Sequence, residues 1–220
     1  MVSLSLIPNW FFGYDVILEL AFAIITLVVS FFAFKIYKLT AQRQPKLFGI
    51  SFLFISLSYF VRSFVNFAII IKLNEDICRV LKVVSVNTWN SFGIYAYVIL
   101  FIAGLITLAY MTIKVNNSRL YALLLTIPII ILLLSPNPLY LYYIISSILL
   151  VFIAIHYFKN YIKRKQPKTL LVLTAFIFLL FGSIHFIFSV NHGLFYIIGH
   201  FLELGAYLLI LTNLILVIKK

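Results

Sequence analysis

The sequence predicts an all-α, polytopic membrane protein with seven transmembrane helices. Of its 220 residues 65% are hydrophobic and only 10% are charged, and the mean hydropathy is +1.17. A soluble protein of this size exposes an extensive wet surface and needs many more polar residues to cover it. Because the connections between the apolar stretches are short, we expect one transmembrane domain over residues 1–220.

Each helix is predicted from an apolar stretch of about 20 residues, the length that crosses the hydrocarbon layer. The seven stretches, called helices 1 to 7, are Asp15–Lys38, Leu47–Ile71, Asn90–Ile113, Leu120–Leu134, Leu139–Phe158, Thr169–Ser189 and Leu194–Ile218. Helix 4 is the shortest and contains Pro128. Pro45 and Pro167 are predicted to lie in the first turns of helices 2 and 6, where a missing N–H has no cost.

The distribution of charge predicts the orientation of the chain in the cell membrane. Thirteen of the seventeen Lys and Arg residues flank the cytoplasmic ends of the helices in an N-out topology, and no acidic residue lies among them. Positive charge in short loops marks the cytoplasmic side. We therefore expect an extracytoplasmic N-terminus, a cytoplasmic C-terminus and the lipid bilayer as the main partner. The net charge of +12 then requires no nucleic-acid partner.

A short motif suggests an internal repeat. Gln44-Pro45-Lys46 recurs as Gln166-Pro167-Lys168 at an offset of 122 residues, each time after a basic run and before a helix. This predicts a parallel 3+1+3 arrangement, with repeats over 15–113 and 139–218 and helix 4 as the inverting connector. The alternative is chance similarity together with a shared loop motif.

Polar side chains inside the helices are candidate ligand-binding residues, because a charge in the membrane is costly and usually pairs or has a function. All of them fall in the predicted extracytoplasmic half. They are Glu19, Arg62, Asn66, Asn90, His185, His200 and Glu203. Together they predict a polar pocket that faces outward.

Several interpretations of these residues remain open. Arg62 and Glu203 form a structural ion pair in one of them, and in another Arg62 binds a carboxylate or phosphate ligand through its planar fork. His185 and His200 are buried imidazoles bonded to backbone or to Glu203 in one interpretation. In others, His185, His200 and Glu203 are proper ligands for zinc or copper, and the two His residues also suit haem. Asp15 is interpreted as a cap of helix 1. The sequence itself requires no cofactor.

The enzymatic motifs considered are absent. There is no Gly-rich phosphate loop, no GxSxG elbow and no HExxH pair. Helix 7 also has no lysine at mid-helix for a retinal Schiff base. The sequence leaves enzymatic activity uncertain and favours a non-enzymatic protein.

Two resemblances bear on function. The stretch Gly199–Leu209, GHFLELGAYLL, resembles the last helix of the multi-helix membrane sensor regions of prokaryotic histidine kinases and cyclases. That resemblance implies a sensor module and a partner with a cytoplasmic signalling domain. The topology and the repeat are similar to those of the seven-helix PQ-loop, or SWEET-type, transporters, which implies transport between two halves.

We therefore expect an integral membrane protein with an outward-facing polar pocket that acts as a non-enzymatic sensor or receptor-like module for a small-molecule ligand. The alternative is a small-solute transporter that works between two three-helix halves. The third hypothesis is a membrane protein that holds a metal or haem on His and Glu.

Overall fold

The computed structural model describes residues 12–74, 79–113, 115–189 and 192–218, with side chains for 13–68, 91–113, 115–189 and 192–218. Within these ranges the chain forms seven helices. They are α1 (Phe12–Thr40), α2 (Arg43–Asn74), α3 (Arg79–Ile113), α4 (Ser118–Leu134), α5 (Pro138–Arg164), α6 (Pro167–Phe188) and α7 (Gly193–Ile218). The all-α prediction is confirmed.

Six of these helices are long and apolar enough to cross a membrane. The exception is α4, which is apolar but has only 17 residues, among them Pro128. The helical membrane protein predicted from the sequence is therefore confirmed, whereas a seventh crossing remains a prediction.

The described helices extend beyond their predicted spans, and the largest single extensions are at one end of α3 and one end of α5. Residues 79–89, expected in a loop, belong to α3, and α5 continues to Arg164 instead of ending at Phe158. The helix ends were predicted where apolar residues give way to polar ones, but the backbone hydrogen bonds of a helix can continue beyond the membrane surface. Lys and Arg extend their charged heads to water from such helix ends. Cys78, interpreted as a loop thiol, lies outside the described residues.

The first turns of α2 and α6 contain the prolines as predicted. Pro167 is the first residue of α6, and Pro45 is the third residue of α2. Each preceding turn uses a residue in the left-handed conformation, Ala41 before α2 and Lys165 before α6. Their backbone N–H groups donate to the fourth carbonyl back, at 2.8 and 2.7 Å, which ends α1 and α5.

Six helices form a closed ring in the order α1, α2, α3, α5, α6, α7 and back to α1. The remaining helix, α4, contacts only α3 and α5 from outside among the described residues. Replacing α1, α2 and α3 by α5, α6 and α7 leaves this order of neighbours unchanged. A parallel two-fold repeat requires that property, and the repeat itself stays a prediction.

Close backbone approach holds α2 against α3. A Cβ added at Gly104 would lie 2.8 Å from the carbonyl oxygen of Ser51 and 2.7 Å from Ile55. Atoms at that separation overlap, so only glycine fits there. Small residues at such positions are the usual means of packing helices in lipid.

Candidate functional site: a buried polar network

An ion pair joins α1 to α2 near one end of the bundle. Arg62 Nε pairs with Glu19 Oε1, and Asn66 Nδ2 donates to Glu19 Oε2 at 3.0 Å. Arg62 and Asn66 share a face of α2 because they are four residues apart. Glu19 is fully buried, while Arg62 keeps 15% of its side chain exposed. The ion pair expected between Arg62 and Glu203 is therefore not the one that forms.

Tyr196 links this pair to α7. Its hydroxyl accepts a hydrogen bond from Arg62 Nη2 at 3.1 Å and donates one to Asp15 Oδ1 at 2.8 Å. Asp15 is fully buried, and its Oδ1 contacts Tyr196 and His200 of α7. Asp15 also lies in the first turn of α1, so its interpretation as a cap of helix 1 stays a prediction beside this contact between helices.

His200 lies between two carboxylates. Its Nε2 is 2.9 Å from Asp15 Oδ1, and its Nδ1 is 3.4 Å from Glu203 Oε2. The doubly protonated imidazole has an N–H on each nitrogen and can donate to both. The rings of Phe22, Phe186 and Tyr196 pack around it. His200 thus connects Asp15 on α1 with Glu203 on its own helix.

The polar network, defined as Asp15, Glu19, Arg62, Asn66, Tyr196, His200 and Glu203, contains more acid than base. Three carboxyl side chains face one guanidinium and one imidazole, so the network has one more acidic than basic side chain. Every acidic residue whose side chain is described belongs to this network. Asp15 Oδ2 is buried and has no hydrogen-bond partner among the described residues.

A layer of tyrosines lies beneath the network. The hydroxyls of Tyr59 and Tyr207 are 3.0 Å apart, and those of Tyr97 and Tyr142 are 2.8 Å apart. All four side chains are buried, and the Arg62 guanidinium stands 4.7 Å above the Tyr97 ring. The face of the Tyr97 ring stabilises the Arg62 cation through a cation–π interaction.

His185 does not join the network. Its Nδ1 is 2.7 Å from the carbonyl oxygen of Phe181, and its ring contacts Phe195. Among the described side chains, no group of three His, Cys, Asp or Glu residues is placed to hold a metal ion. The structure therefore does not assemble the metal site predicted from His185, His200 and Glu203. A bis-His haem site has no support either, because both nitrogens of His200 face carboxylates.

The structure thus brings together five of the seven predicted site residues. Asn90 lies in α3, and its side chain is outside the described ones. Asp15 and Tyr196 belong to the network but were not among the site residues predicted from the sequence. Both carried a signal, because Asp15 is four residues before Glu19 and Tyr196 is four residues before His200, so each shares a helix face with a candidate.

A cavity of about 370 Å³ lies at the opposite end of the bundle, and all six ring helices line it. Its apolar wall takes at least one residue from each of the six helices, among them Ala33, Phe48, Met111, Tyr157, Val172 and Leu214. Polar side chains complete the lining, and no Asp or Glu is among them. The bundle therefore has the polar network at one end. At the other end is this cavity, called the central cavity below because all six ring helices line it, and its described lining has no acidic side chain.

No protein-family model, curated protein or solved structure matches this chain. The fold and the network together define a helical integral membrane protein with a buried, net acidic polar site.

Proposed function

We propose that this integral membrane protein is a receptor-like module that binds a small ligand at the polar network. In this proposal the N-terminus is extracytoplasmic and the network faces outward, as the distribution of Lys and Arg predicts. The observation that carries the proposal is Oδ2 of Asp15, which is buried and has no hydrogen-bond partner in the described part of the chain, in a network with one carboxyl group in excess. A buried charge of this kind is expensive, so a function that uses it is a strong reason for its presence.

The excess negative charge favours a ligand that is cationic or donates hydrogen bonds, such as a small amine. An anion would meet a guanidinium that Glu19 already neutralises. Arg62 would have to break that pair in a buried place, where separating opposite charges is costly. The sequence-based expectation of a carboxylate or phosphate ligand at Arg62 therefore finds no support in this geometry.

Ligand binding at Asp15 would act on the contact between α1 and α7. Tyr196 and His200 both use Asp15 Oδ1 to hold α7 against α1. A cation at Asp15 would compete with the His200 imidazolium and shift the position of α7. Helix α7 would then have different contacts in the ligand-free and the ligand-bound state, and a receptor needs two such states. The proposal includes a partner with a cytoplasmic signalling domain that responds to the shift.

Thermal unfolding in lipid nanodiscs tests the binding step. Sodium ion and a panel of small primary, secondary and quaternary amines are titrated, and a ligand that binds only the folded state raises the midpoint. Asp15→Asn removes the proposed contact atom and one charge, whereas Glu203→Gln removes one charge at a different carboxylate. We expect a shift with at least one probe that Asp15→Asn abolishes and Glu203→Gln only reduces, because Glu203 contributes charge to the network but not the proposed contact atom. No shift with any probe, or equal loss in both variants, contradicts the proposal.

A small-solute transporter is the second candidate, and the central cavity favours it. A cavity lined by both three-helix halves, with the opposite end closed by ion pairs, suits a protein that opens on alternate sides. Uptake of the same amines into proteoliposomes separates the two candidates. A receptor binds without flux, while a transporter shows flux that Asp15→Asn reduces.

A further inference from the structure

The central cavity has the chemistry of an anion site, in contrast to the network at the other end. Arg164 of α5 and Lys168 of α6 line it, accompanied by the amide side chains of Gln42, Gln44 and Asn160. Among the described residues no acidic side chain lines the cavity, so these cations have no carboxylate partner there within that part of the chain. A bound anion would therefore gain charge-assisted hydrogen bonds without displacing an existing ion pair.

Lys168 is fixed at the edge of the cavity. Its Nζ donates to the carbonyl oxygen of Leu216 at 2.9 Å, which satisfies a carbonyl near the end of α7. Nζ has three donors, so this bond leaves others available for a ligand. Arg164, on the last turn of α5, is exposed at the mouth.

Asn213 supplies a second, independent observation on the α7 side of the cavity. Its side chain is 9% exposed, and Oδ1 is buried without a hydrogen-bond partner among the described residues. A buried acceptor left without a donor costs about 1–3 kcal/mol. The neighbouring lining includes Leu214 and Val172, which are apolar. A ligand with a hydroxyl group would satisfy Oδ1 at that place.

The repeated Gln-Pro-Lys motif borders this cavity from two sides. Gln44 and Pro45 of the first copy and Lys168 of the second copy line it. The helices that these motifs begin, α2 and α6, occupy opposite positions in the ring. Both copies of the repeated motif therefore contribute residues to the lining of the same cavity.

We infer that the central cavity binds a small phosphate ester that carries a hydroxyl group, with the phosphate between Arg164 and Lys168 and the hydroxyl donated to Asn213 Oδ1. The planar fork of Arg matches phosphate oxygens, and two cationic side chains suit a group with one to two negative charges. A volume of about 370 Å³ falls within the range of about 300–1,000 Å³ that holds small organic ligands. This site is separate from the polar network and does not depend on the proposed receptor function.

Calorimetric titration of the protein in phosphatidylcholine nanodiscs tests the site with three probes. Glycerol 1-phosphate has both groups, ethyl phosphate lacks the hydroxyl groups, and glycerol lacks the phosphate. We expect glycerol 1-phosphate to bind about tenfold more tightly than ethyl phosphate, which is the difference in affinity expected from one good hydrogen bond. We expect glycerol not to bind.

Matched variants locate the binding. Arg164→Gln is compared with Lys163→Gln, which removes the same charge from a neighbouring exposed residue outside the lining. We expect about tenfold weaker binding of glycerol 1-phosphate for the first variant and less than a twofold change for the second. Asn213→Leu is compared with Thr212→Val, which is exposed on the same helix, and should remove the preference for glycerol 1-phosphate over ethyl phosphate.

Phosphate esters reach this site either from solution or as lipid headgroups, and nanodiscs that contain phosphatidylglycerol separate the two sources. If the headgroup occupies the cavity, phosphatidylglycerol weakens glycerol 1-phosphate binding and stays bound to the native protein in mass spectrometry, but not to Arg164→Gln. A soluble ester as occupant leaves the affinity independent of phosphatidylglycerol. The inference would be overturned if Arg164→Gln and Lys163→Gln had equal effects on binding, or if Asn213→Leu kept the preference for glycerol 1-phosphate over ethyl phosphate. It would also be overturned if neither the soluble ester nor the lipid headgroup bound.

Discussion

The hydroxyl of Tyr196 donates to Oδ1 of Asp15 at 2.8 Å, and this bond joins two residues that are 181 positions apart in the chain. The same hydroxyl accepts from Arg62, so three helices meet at one oxygen atom. Tyr196 therefore connects α1, α2 and α7 within the polar network, and the loss of its hydroxyl should affect both Asp15 and Arg62.

Replacing Tyr196 by Phe removes both hydrogen bonds and keeps the ring. Because Asp15 and Arg62 each lose a partner in a buried place, we expect a loss of about 1–3 kcal/mol in the free energy of unfolding. Unfolding in a detergent titration measures it. Tyr140→Phe is the control, since that side chain is 48% exposed, and an equal loss in both variants would contradict the role assigned to Tyr196.

A double-mutant cycle tests which carboxylate pairs with Arg62. Glu19→Gln and Arg62→Gln should each destabilise the protein by about 3–5 kcal/mol, because each leaves a buried charge uncompensated. Together they should couple by about 1–3 kcal/mol, while Arg62→Gln and Glu203→Gln should couple by less than about 0.5 kcal/mol. Stronger coupling of Arg62 to Glu203 than to Glu19 would restore the pairing first expected from the sequence.

The two histidines of the predicted metal site should differ in their effect on stability. His200→Ala leaves Asp15 and Glu203 without the ring between them, so we expect a loss of about 2–4 kcal/mol. His185→Ala should cost less than about 1 kcal/mol, because that ring bonds a carbonyl of its own helix. The midpoints of thermal unfolding give the comparison. Bound zinc or copper, lost equally in both variants, would instead support the metal hypothesis.

Gly104→Ala should destabilise the α2–α3 contact. The added Cβ meets the Ser51 carbonyl oxygen, which is backbone and cannot rotate away, so we expect a loss of about 1–3 kcal/mol. Gly13→Ala is the matched control, because its Cβ would have no atom within 4 Å. The free energies of unfolding of the two variants make the comparison, and similar values would show that α3 is not packed as described.

Single cysteines in a Cys78→Ser background test the orientation. An impermeant thiol reagent should label Tyr14→Cys in intact cells, since that position is 62% exposed at the predicted outer end. Lys163→Cys should react only after the cells are opened. The reverse pattern would invert the topology and place the acidic network on the cytoplasmic side.

Much of this fold was predictable because each span carries its own signal. Apolar runs gave the helices, and Pro45 and Pro167 correctly indicated two helix starts. The depth of Glu19, Arg62 and His200 also followed from counting residues along each helix. Their grouping at one end of the bundle therefore needed no tertiary information.

The pairing of these residues was not predictable, because it depends on which helices are neighbours. Arg62 faces Glu19 because α2 lies beside α1, whereas Glu203 lies on α7, which is not adjacent to α2 in the ring. The short motif around His200 also gave no indication that both ring nitrogens would face acids. Residues 79–89 were misjudged for a different reason, as polarity ends a predicted span but does not end a helix.

The ring has six boundaries between adjacent helices, and these boundaries differ in how the chain connects the two helices that meet there. Short connections cross four of them, and α4 bridges the boundary between α3 and α5. The boundary between α7 and α1 has no covalent link at all, so side chains alone keep the ring from opening there. Asp15, His200 and Tyr196 are placed across it. The stability of the closed ring is therefore sensitive to the charge state and ligands of a few buried atoms.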